Sequence, residues 1–367
     1  MGGESVLPEA RLGTLVGLLR HYSPTGAEAE AVTWLIGRMR ALGFTEAVVD
    51  EAGNAVGRMG AGPYQVLLLG HIDTVPGEIP LRLEEGRLYG RGAVDAKGPL
   101  AAFVDAVAQV GELPGVQWVV IGAVGEEGDS RGARFLLPHY RPQMLIIGEP
   151  SGWERLTLGY KGSAWVQVTA RRPLAHTAAP VESACEAAVA IWARLKQEVL
   201  TFNQERAGAF EQLLATLRRM RSDSDGFEEW AQLQIGLRLP PGLDRMELEA
   251  LLAMTANGDA WMIEDFIPAY RAEKNTPLVR AFLAAIRAQG GRPSFTLKSG
   301  TSDMNLTAPV WGCPTLAYGP GDSSLDHTPH EHIEIEEYFK AVEVLTHALR
   351  SLAALVTPGT TSHRSLG

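Results

Sequence analysis

The chain has 367 residues, of which 46% are hydrophobic and 21% are charged, and its formal net charge is −10. This length exceeds the range of about 100 to 200 residues that is usual for one domain, so we expect either one large domain or two. The negative charge argues against a nucleic-acid or anionic-membrane partner, because such partners need a basic surface. The longest apolar runs fall far short of the roughly 20 residues that span a bilayer, and no secretory signal is recognisable. We therefore expect a folded protein of the cytoplasm.

Apolar periodicity predicts an alternation of helices and strands in the first 150 residues. Helices are predicted at about 8–21, at 26–42 and from Leu100 onward, and strands are predicted at 45–50, 55–58, 66–70, 116–125 and 143–148. Short apolar runs of this kind, with helices between them, are typical of a mostly parallel sheet flanked by helices.

Three of these buried strands are followed at once by histidine or carboxylate side chains. His71 and Asp73 follow the strand at 66–70, Glu126 and Glu127 follow 116–125, and Glu149 follows 143–148. The first pair alone could belong to an ordinary polar loop. Because parallel strands end at the same edge of a sheet, however, we expect all five side chains to converge. Several carboxylates in one place are unfavourable unless cations neutralise them, so a metal site is predicted.

Asp95 precedes the helix that begins near Leu100, in the glycine-rich segment RLYGRGAVDAKG. The residues alone are equally consistent with a turn or helix-cap carboxylate and with a metal ligand. Neither GxGxxG nor GxxxxGK is present, so no nucleotide site is predicted. Near the end of the chain the loop GPGDSSLDHTPHEH carries His327, His330 and His332. One of them could complete a metal site, and position alone does not choose between the three.

The composition changes after about residue 162, which predicts a second domain. Strands are predicted at 164–170, 233–239 and 260–266, and helices at 181–200, around 210–217 and at 243–254. This order indicates a smaller α/β domain at 163–272, inserted between the two parts of a catalytic domain at 1–162 and 273–367. A helix from about Asn275, a strand at 315–318 and a final amphipathic helix complete the catalytic domain.

Together, the motifs resemble the M20 family of zinc aminopeptidases and amidohydrolases. The matching segments are GHIDTVP at 70–76, GRGAVDAKG at 90–98, GEEG at 125–128, GEP at 148–150, AHTAAP at 175–180 and DHTPHEH at 326–332. They cover nearly the whole length of the chain. The resemblance implies a metal-dependent hydrolase that acts on a linear amide bond.

The resemblance also implies a role for each residue of the site. It implies two divalent metal ions, zinc first, with cobalt or manganese as alternatives. Asp95 would bridge the ions, with His71 and Glu149 on one and Glu127 and His327 on the other. Asp73 would support His71, and Glu126 would be the general base that passes a proton from the attacking water to the leaving nitrogen.

By the same resemblance, residues 163–272 would form a dimerisation or lid domain of a homodimer. His176 would then donate to the substrate carbonyl in the partner's site, and Arg238 would bind a substrate carboxylate. Gly300 and Thr301 would line the substrate pocket. From the residues alone, a loop histidine without a role is the favoured interpretation of His176, and Arg238 could equally be an arginine on a strand surface.

Within the family, the compact length and the segments KSGTSDMN and DHTPHEH resemble the hydrolases that free lysine or ornithine from a small acidic amino-group carrier protein. That reaction belongs to the α-aminoadipate route to lysine. An acetylornithine deacetylase, or another deacylase or desuccinylase of N-acyl amino acids, is the alternative within the family. A catalytically inactive binding protein with the same fold is the alternative of another class, and the presence of every ligand position disfavours it.

Overall fold

The computed structural model describes residues 9–356. The helices are α1 (Glu9–Arg20), α2 (Ala29–Ala41), α3 (Lys97–Val110), α4 (Arg131–His139), α5 (Ala184–Asn203), α6 (Arg245–Ala256), α7 (Pro277–Ala288), α8 (Asp303–Trp311) and α9 (Ile335–Val356). The strands are β1 (Glu46–Val49), β2 (Ala55–Met59), β3 (Tyr64–His71), β4 (Arg82–Glu84), β5 (Arg87–Tyr89), β6 (Val116–Ala123), β7 (Met144–Gly148), β8 (Arg155–Tyr160), β9 (Gly162–Pro173), β10 (Leu214–Ser224), β11 (Glu228–Leu239), β12 (Ala260–Ile267), β13 (Tyr270–Arg271), β14 (Ser294–Lys298), β15 (Thr315–Ala317) and β16 (His332–Glu334). The predicted α/β class is confirmed.

The described residues fall into two compact units. The first contains residues 9–158, 272–296 and 306–356, and the second contains 159–271 and 297–305. Residues 297–305 are predicted to belong to the catalytic domain, whereas the structure groups this segment with the second unit. The side chain of Asn305 explains the grouping, because its Nδ2 donates to the backbone carbonyls of Tyr160, Lys161 and Pro268 at 2.9–3.2 Å. A dimerising or lid role for the second unit stays a prediction.

The sheet of the first unit has the strand order β1-β2-β6-β3-β7-β15-β8. Its centre is parallel, since β3 pairs in parallel with both β6 and β7, and β15 pairs in parallel with β7. β1 and β2 at one end and β8 at the other are antiparallel to their neighbours. The last six residues of β3 are buried, as expected for a central strand with both faces covered. The mostly parallel sheet predicted from the apolar runs is confirmed.

Glycines at the strand ends allow α3 to lie close to this sheet. A Cβ atom on Gly148 would lie 2.8 Å from the ring of Phe103, and a Cβ atom on Gly70 would lie 3.3 Å from Leu100. Phe103 and Leu100 belong to α3 and are fully buried. Because α3 begins two residues after Asp95, this packing also places Asp95 near the ends of the central strands.

The second unit has its own antiparallel sheet, of strand order β10-β11-β9-β12. Side chains alternate along β9 and β11, and one face of the sheet forms a core with α5 and α6. Val166, Ile235, Ile191 and Leu252 are among the fully buried residues of this core. The unit therefore buries a hydrophobic core of its own.

The helix predicted around residues 210–217 is wrong. Phe210 lies in a short 3₁₀ turn at Ala209–Glu211, and the chain then enters β10, which pairs antiparallel with β11. Leu213 and Ala215 are buried while Leu214 is 42% exposed, so burial alternates with the period of a strand. The apolar residues are spaced by three and four, which is typical of a helix. This spacing is misleading here, because one of the residues belongs to the turn and the spacing does not describe a single element.

None of the helices within residues 9–356 combines the length and the apolar character needed to cross a bilayer.

The packing of α1 against α2 gives a test of the fold. A Cβ atom on Gly17 of α1 would fall 1.8 Å from a ring carbon of Trp34, whereas one on Gly37 of α2 would have no atom within 4 Å. We expect Gly17→Ala to lower the free energy of unfolding by about 1–3 kcal/mol through overpacking. The matched variant Gly37→Ala should raise it by about 0.5–1 kcal/mol, because alanine favours the helix. Urea denaturation measures both values, and equal effects would contradict this helix pair.

Candidate metal centre

The first residues of the site come from the carboxyl end of β3. Register aligns His71 with Ala123 of β6, and Gly70 with Gly148 of β7, so the residues that follow all three strands reach the same edge of the sheet. At that edge Nδ1 of His71 lies 3.0 Å from the backbone carbonyl of Asp73, and Nε2 lies 3.1 Å from Oδ1 of Asp95. The imidazole is therefore held on one side and directed at a carboxylate on the other.

The carboxylate of Asp73 organises the turn that carries the two glutamates. The backbone N–H of Glu126 donates to its Oδ1 at 3.0 Å, and the N–H of Glu127 donates to its Oδ2 at 3.1 Å. The hydroxyl of Thr25 donates to Oδ2 at 2.8 Å, while Nδ1 of His71 lies 3.6 Å from Oδ1. Burial raises the pKa of Asp73, but the hydrogen bonds outweigh this and keep the pKa below its usual value. Asp73 is therefore an ionised anchor for residues 126 and 127 as well as a neighbour of His71.

Asp95 faces two imidazoles at once. Its Oδ1 lies 3.1 Å from Nε2 of His71, and its Oδ2 lies 3.0 Å from Nε2 of His327. Nε2 of His327 is also 2.9 Å from Oε1 of Glu127. The carboxylate of Asp95 thus lies between two histidines, with a second carboxylate beside one of them.

His327 reaches this position through an unusual backbone. Its φ of +60° lies in the left-handed region, which is uncommon for residues other than glycine and which recurs at active sites and ligand clamps. Of the three loop histidines, the structure brings His327 to the carboxylates. The ring of His332 instead contacts the ring of Tyr89, with 4.8 Å between ring centroids and a tilt of 36°, and its Nδ1 lies 2.7 Å from the carbonyl of His330.

The donor atoms suit a divalent transition metal. One ligand atom from each of His71, Asp95 and Glu127 lies within 4.8 Å of the other two. If Nδ1 of His71 donates to the carbonyl of Asp73, the lone pair of Nε2 points towards Asp95, as a metal ligand requires. Imidazole nitrogens combined with carboxylate oxygens fit zinc, cobalt or manganese better than calcium or magnesium.

The charges of these side chains shift their pKa values strongly. Hydrogen bonds to Asp95 and Glu127 raise the pKa of His327 to about 10. Burial lowers the pKa of His71, but hydrogen bonds to Asp73 and Asp95 outweigh it, and the pKa lies well above its usual value. Burial raises the pKa of Asp95, yet the hydrogen bonds with His327 and His71 outweigh it and hold the pKa low. Positive charge is thus favoured here, a condition that a divalent cation satisfies.

Glu126 and Glu149 lie at the same edge of the sheet. The charge of Glu126 is near enough to His71 to raise the pKa of its imidazole. Glu149 directly follows β7, and its side chain is buried. Among the described residues, the tight group of possible ligands contains neither Glu149 nor His327. The assignment of all five residues as metal ligands stays a prediction.

The remaining predicted residues belong to the second unit. His176 is exposed on a loop, where its Nδ1 accepts a hydrogen bond from the N–H of Ala178 at 3.1 Å. Arg238 Nη1 donates to the hydroxyl of Thr301 at 3.0 Å, and this hydroxyl donates to the carbonyl of Lys161 at 2.9 Å. Gly300 precedes Thr301, and a Cβ atom there would meet nothing within 4 Å. The structure therefore brings Arg238 together with the segment of Gly300 and Thr301, and their binding role stays a prediction.

Two charged residues beside the candidate metal centre are absent from the prediction made from the sequence. Glu331 is 1% exposed and Arg91 is 7% exposed, and they form an ion pair of 2.9 Å between Oε2 and Nη1. Glu331 lies between two histidines of the motif DHTPHEH, and Arg91 lies between two glycines of GRGAVDAKG. Both residues belong to motifs of the family resemblance, but no rule of sequence spacing links residues so far apart in the chain.

Comparisons with known proteins identify the family of this chain. The profile of peptidase family M20/M25/M40 matches residues 67–351. An enzyme of Deinococcus radiodurans named LysW-lysine hydrolase is 45% identical over 339 residues, which are 90% of this chain and 93% of that protein. A protein of Thermococcus kodakarensis named putative LysW-lysine/LysW-ornithine hydrolase is 40% identical, over 94% of this chain and 92% of that protein.

A solved structure shows the same fold. The M20 family metallo-carboxypeptidase Sso-CP2 from Sulfolobus solfataricus superimposes with a TM-score of 0.76 and covers 94% of this chain and 99% of its own. Its sequence identity is 19%, so it supports the fold alone. The resemblance drawn from the motifs is confirmed by the family profile and the relatives. The chain belongs to peptidase family M20/M25/M40 and is a metal-dependent hydrolase of amide bonds.

Proposed function

We propose that this hydrolase releases lysine, or ornithine, from a small amino-group carrier protein by cleaving the amide on the α-nitrogen of the amino acid. Amide hydrolysis is supported by Asp95, whose two carboxylate oxygens lie 3.1 and 3.0 Å from the imidazoles of His71 and His327. The choice of substrate is supported by the two relatives named for LysW-linked lysine and ornithine, which match at least 90% of the chain.

We assign two divalent cations to the site, zinc first, with cobalt or manganese as alternatives. His71 and Glu149 would hold one cation, Glu127 and His327 the other, and Asp95 both. When bound, such cations polarise a carbonyl group and lower the pKa of water.

In this proposal Glu126 transfers the proton. Its carboxylate accepts a proton from the attacking water and later donates it to the leaving α-nitrogen. The N–H of Glu126 is fixed on the carboxylate of Asp73, at 3.0 Å, so the backbone that presents the base is already in place. Asp73 is accordingly a positioning residue for the base.

The second unit supplies substrate contacts in this proposal. Arg238 would bind a substrate carboxylate, and its bond to Thr301 limits the orientations that the guanidinium can take. We further propose a homodimer in which His176 donates to the substrate carbonyl of the partner's site. Exposed apolar side chains on α5, Val189 and Leu200, and the long edge strand β10 support an interface on the second unit.

The substrate is tested by comparing kcat/KM for carrier-linked lysine with kcat/KM for N-acetylornithine. We expect kcat/KM to be at least tenfold higher for the carrier-linked substrate, which corresponds to a difference of about 1.4 kcal/mol in the stabilisation of the transition state. Preference for N-acetylornithine would replace this proposal by deacetylation of a free small molecule. Turnover of neither compound, with metal bound, would indicate another N-acyl amino acid as the substrate.

The general base is tested with Glu126→Gln, which keeps the shape of the side chain and removes its ability to take a proton. We expect kcat to fall by about 10²–10⁴-fold, the usual contribution of a general base, with KM and metal affinity within threefold of the wild type. The exposed Glu51, in a turn of the same unit, gives the control Glu51→Gln, which should leave kcat unchanged. Full turnover by Glu126→Gln would remove Glu126 from the mechanism.

The trans role of His176 is tested by mixing two inactive variants. In a heterodimer of His176→Ala and Glu126→Ala subunits, one of the two sites would contain both wild-type side chains. Random exchange should therefore restore about a quarter of the wild-type activity in an equimolar mixture. Mass spectrometry of the intact dimer verifies that subunits have exchanged. A verified heterodimer without activity would show that His176 does not act across the dimer.

A further inference from the structure

Two buried charged residues beside the metal centre have no part in the chemistry proposed above. Arg91 and Glu331 are 7% and 1% exposed, and their side chains form a 2.9 Å ion pair. Burying a charge is unfavourable unless its hydrogen-bonding groups are satisfied, so the other contacts of the pair show what it holds.

Glu331 holds the backbone of the Asp95 segment. Its Oε1 accepts the N–H of Val94 at 2.9 Å and the N–H of Asp95 at 3.0 Å. Its own backbone carbonyl accepts the N–H of Gly90 at 3.4 Å. A residue 236 positions further along the chain therefore fixes the backbone that carries Asp95.

Arg91 connects the segment of Asp95 to two other segments. Its Nε donates to the carbonyl of Gly77 at 2.8 Å, in the turn that follows His71 and Asp73. Its Nη1 donates to the carbonyl of Thr328 at 3.2 Å, in the residue after His327. The guanidinium thus joins the segments of His71, Asp95 and His327, the three residues that meet at the metal centre.

We propose that the Arg91–Glu331 pair is a positioning device that sets the distance between Asp95 and His327, and through it the affinity for the catalytic metal. This inference rests on the proposed metal centre and extends it to residues that touch neither metal nor substrate. Hydrogen bonds that orient metal ligands commonly change metal affinity by about 10–100-fold, which gives the size of the expected effect. The planar fork of arginine suits the task, because it donates in several fixed directions at once.

The test is the dissociation constant for Zn²⁺, measured by competition with a chelator on the full-length protein. Glu331→Gln keeps an oxygen that can accept the N–H groups of Val94 and Asp95, but it loses the charge that faces Arg91. We expect its Zn²⁺ dissociation constant to rise at least tenfold. KM should stay within twofold of the wild type at saturating metal, and added Zn²⁺ should restore part of the lost kcat. Circular dichroism of the metal-free variant distinguishes this result from a loss of folding, because bound metal would also stabilise a poorly folded variant.

A second variant and a control complete the experiment. Arg91→Lys keeps the positive charge but not the planar fork of the guanidinium, and it should also weaken Zn²⁺ binding at least tenfold. If circular dichroism shows that Glu331→Gln does not fold, Arg91→Lys alone decides the question. Glu334→Gln is the matched control, because Glu334 pairs with Arg87 at 2.7 Å on the exposed surface, three residues from Glu331. Its dissociation constant should equal that of the wild type.

The outcomes separate this inference from the proposed function. Folded variants of Glu331 and Arg91 that bind Zn²⁺ less than tenfold more weakly than the wild type overturn the positioning role. A wild-type protein that binds neither Zn²⁺ nor Co²⁺ nor Mn²⁺ overturns the metal centre itself, and this is measured first.

Discussion

The parallel pairing of β3 with β6 and β7 is the constraint on which the site depends. It places His71 beside Ala123, and Gly70 beside Gly148, so that the chain leaves all three strands at one edge. A slip of one residue would turn every side chain of β3 to the opposite face of the sheet, where it would meet different packing neighbours, so close packing on the two faces fixes the register. The alignment of the site therefore follows from the packing of the hydrophobic core around these three strands.

Asp73 converts that alignment into a defined geometry. The two N–H groups that reach its carboxylate belong to Glu126 and Glu127, which follow a different strand. One buried carboxylate thus connects the end of β3 to the turn after β6. The low pKa that the hydrogen bonds impose on Asp73 keeps it ionised, and an ionised acceptor forms stronger hydrogen bonds than a neutral one.

Much of the fold and the site could be predicted because local patterns determine them. Apolar runs closed by glycine located β3, β6 and β7, and the polar residues that follow them located the site. The helix predicted at 210–217 failed because a 3₁₀ turn placed apolar residues at helical spacing before a strand. Arg91 and Glu331 could not be found in this way, since their partnership depends on two loops that meet only in the folded chain.

The strand-borne and loop-borne residues of the site are held by different kinds of interaction. His71 ends a buried strand, so hydrophobic packing and sheet hydrogen bonds fix its backbone. Asp95 and His327 lie on loops, and the backbone of His327 is in the left-handed region, which is less favourable by about 1–3 kcal/mol for a residue of this kind. Such a loop keeps its conformation only if surrounding contacts determine it. The Arg91–Glu331 pair supplies such contacts outside the packed sheet. Glu331 accepts the N–H of Asp95, and Arg91 donates to the backbone carbonyl of Thr328, the residue after His327.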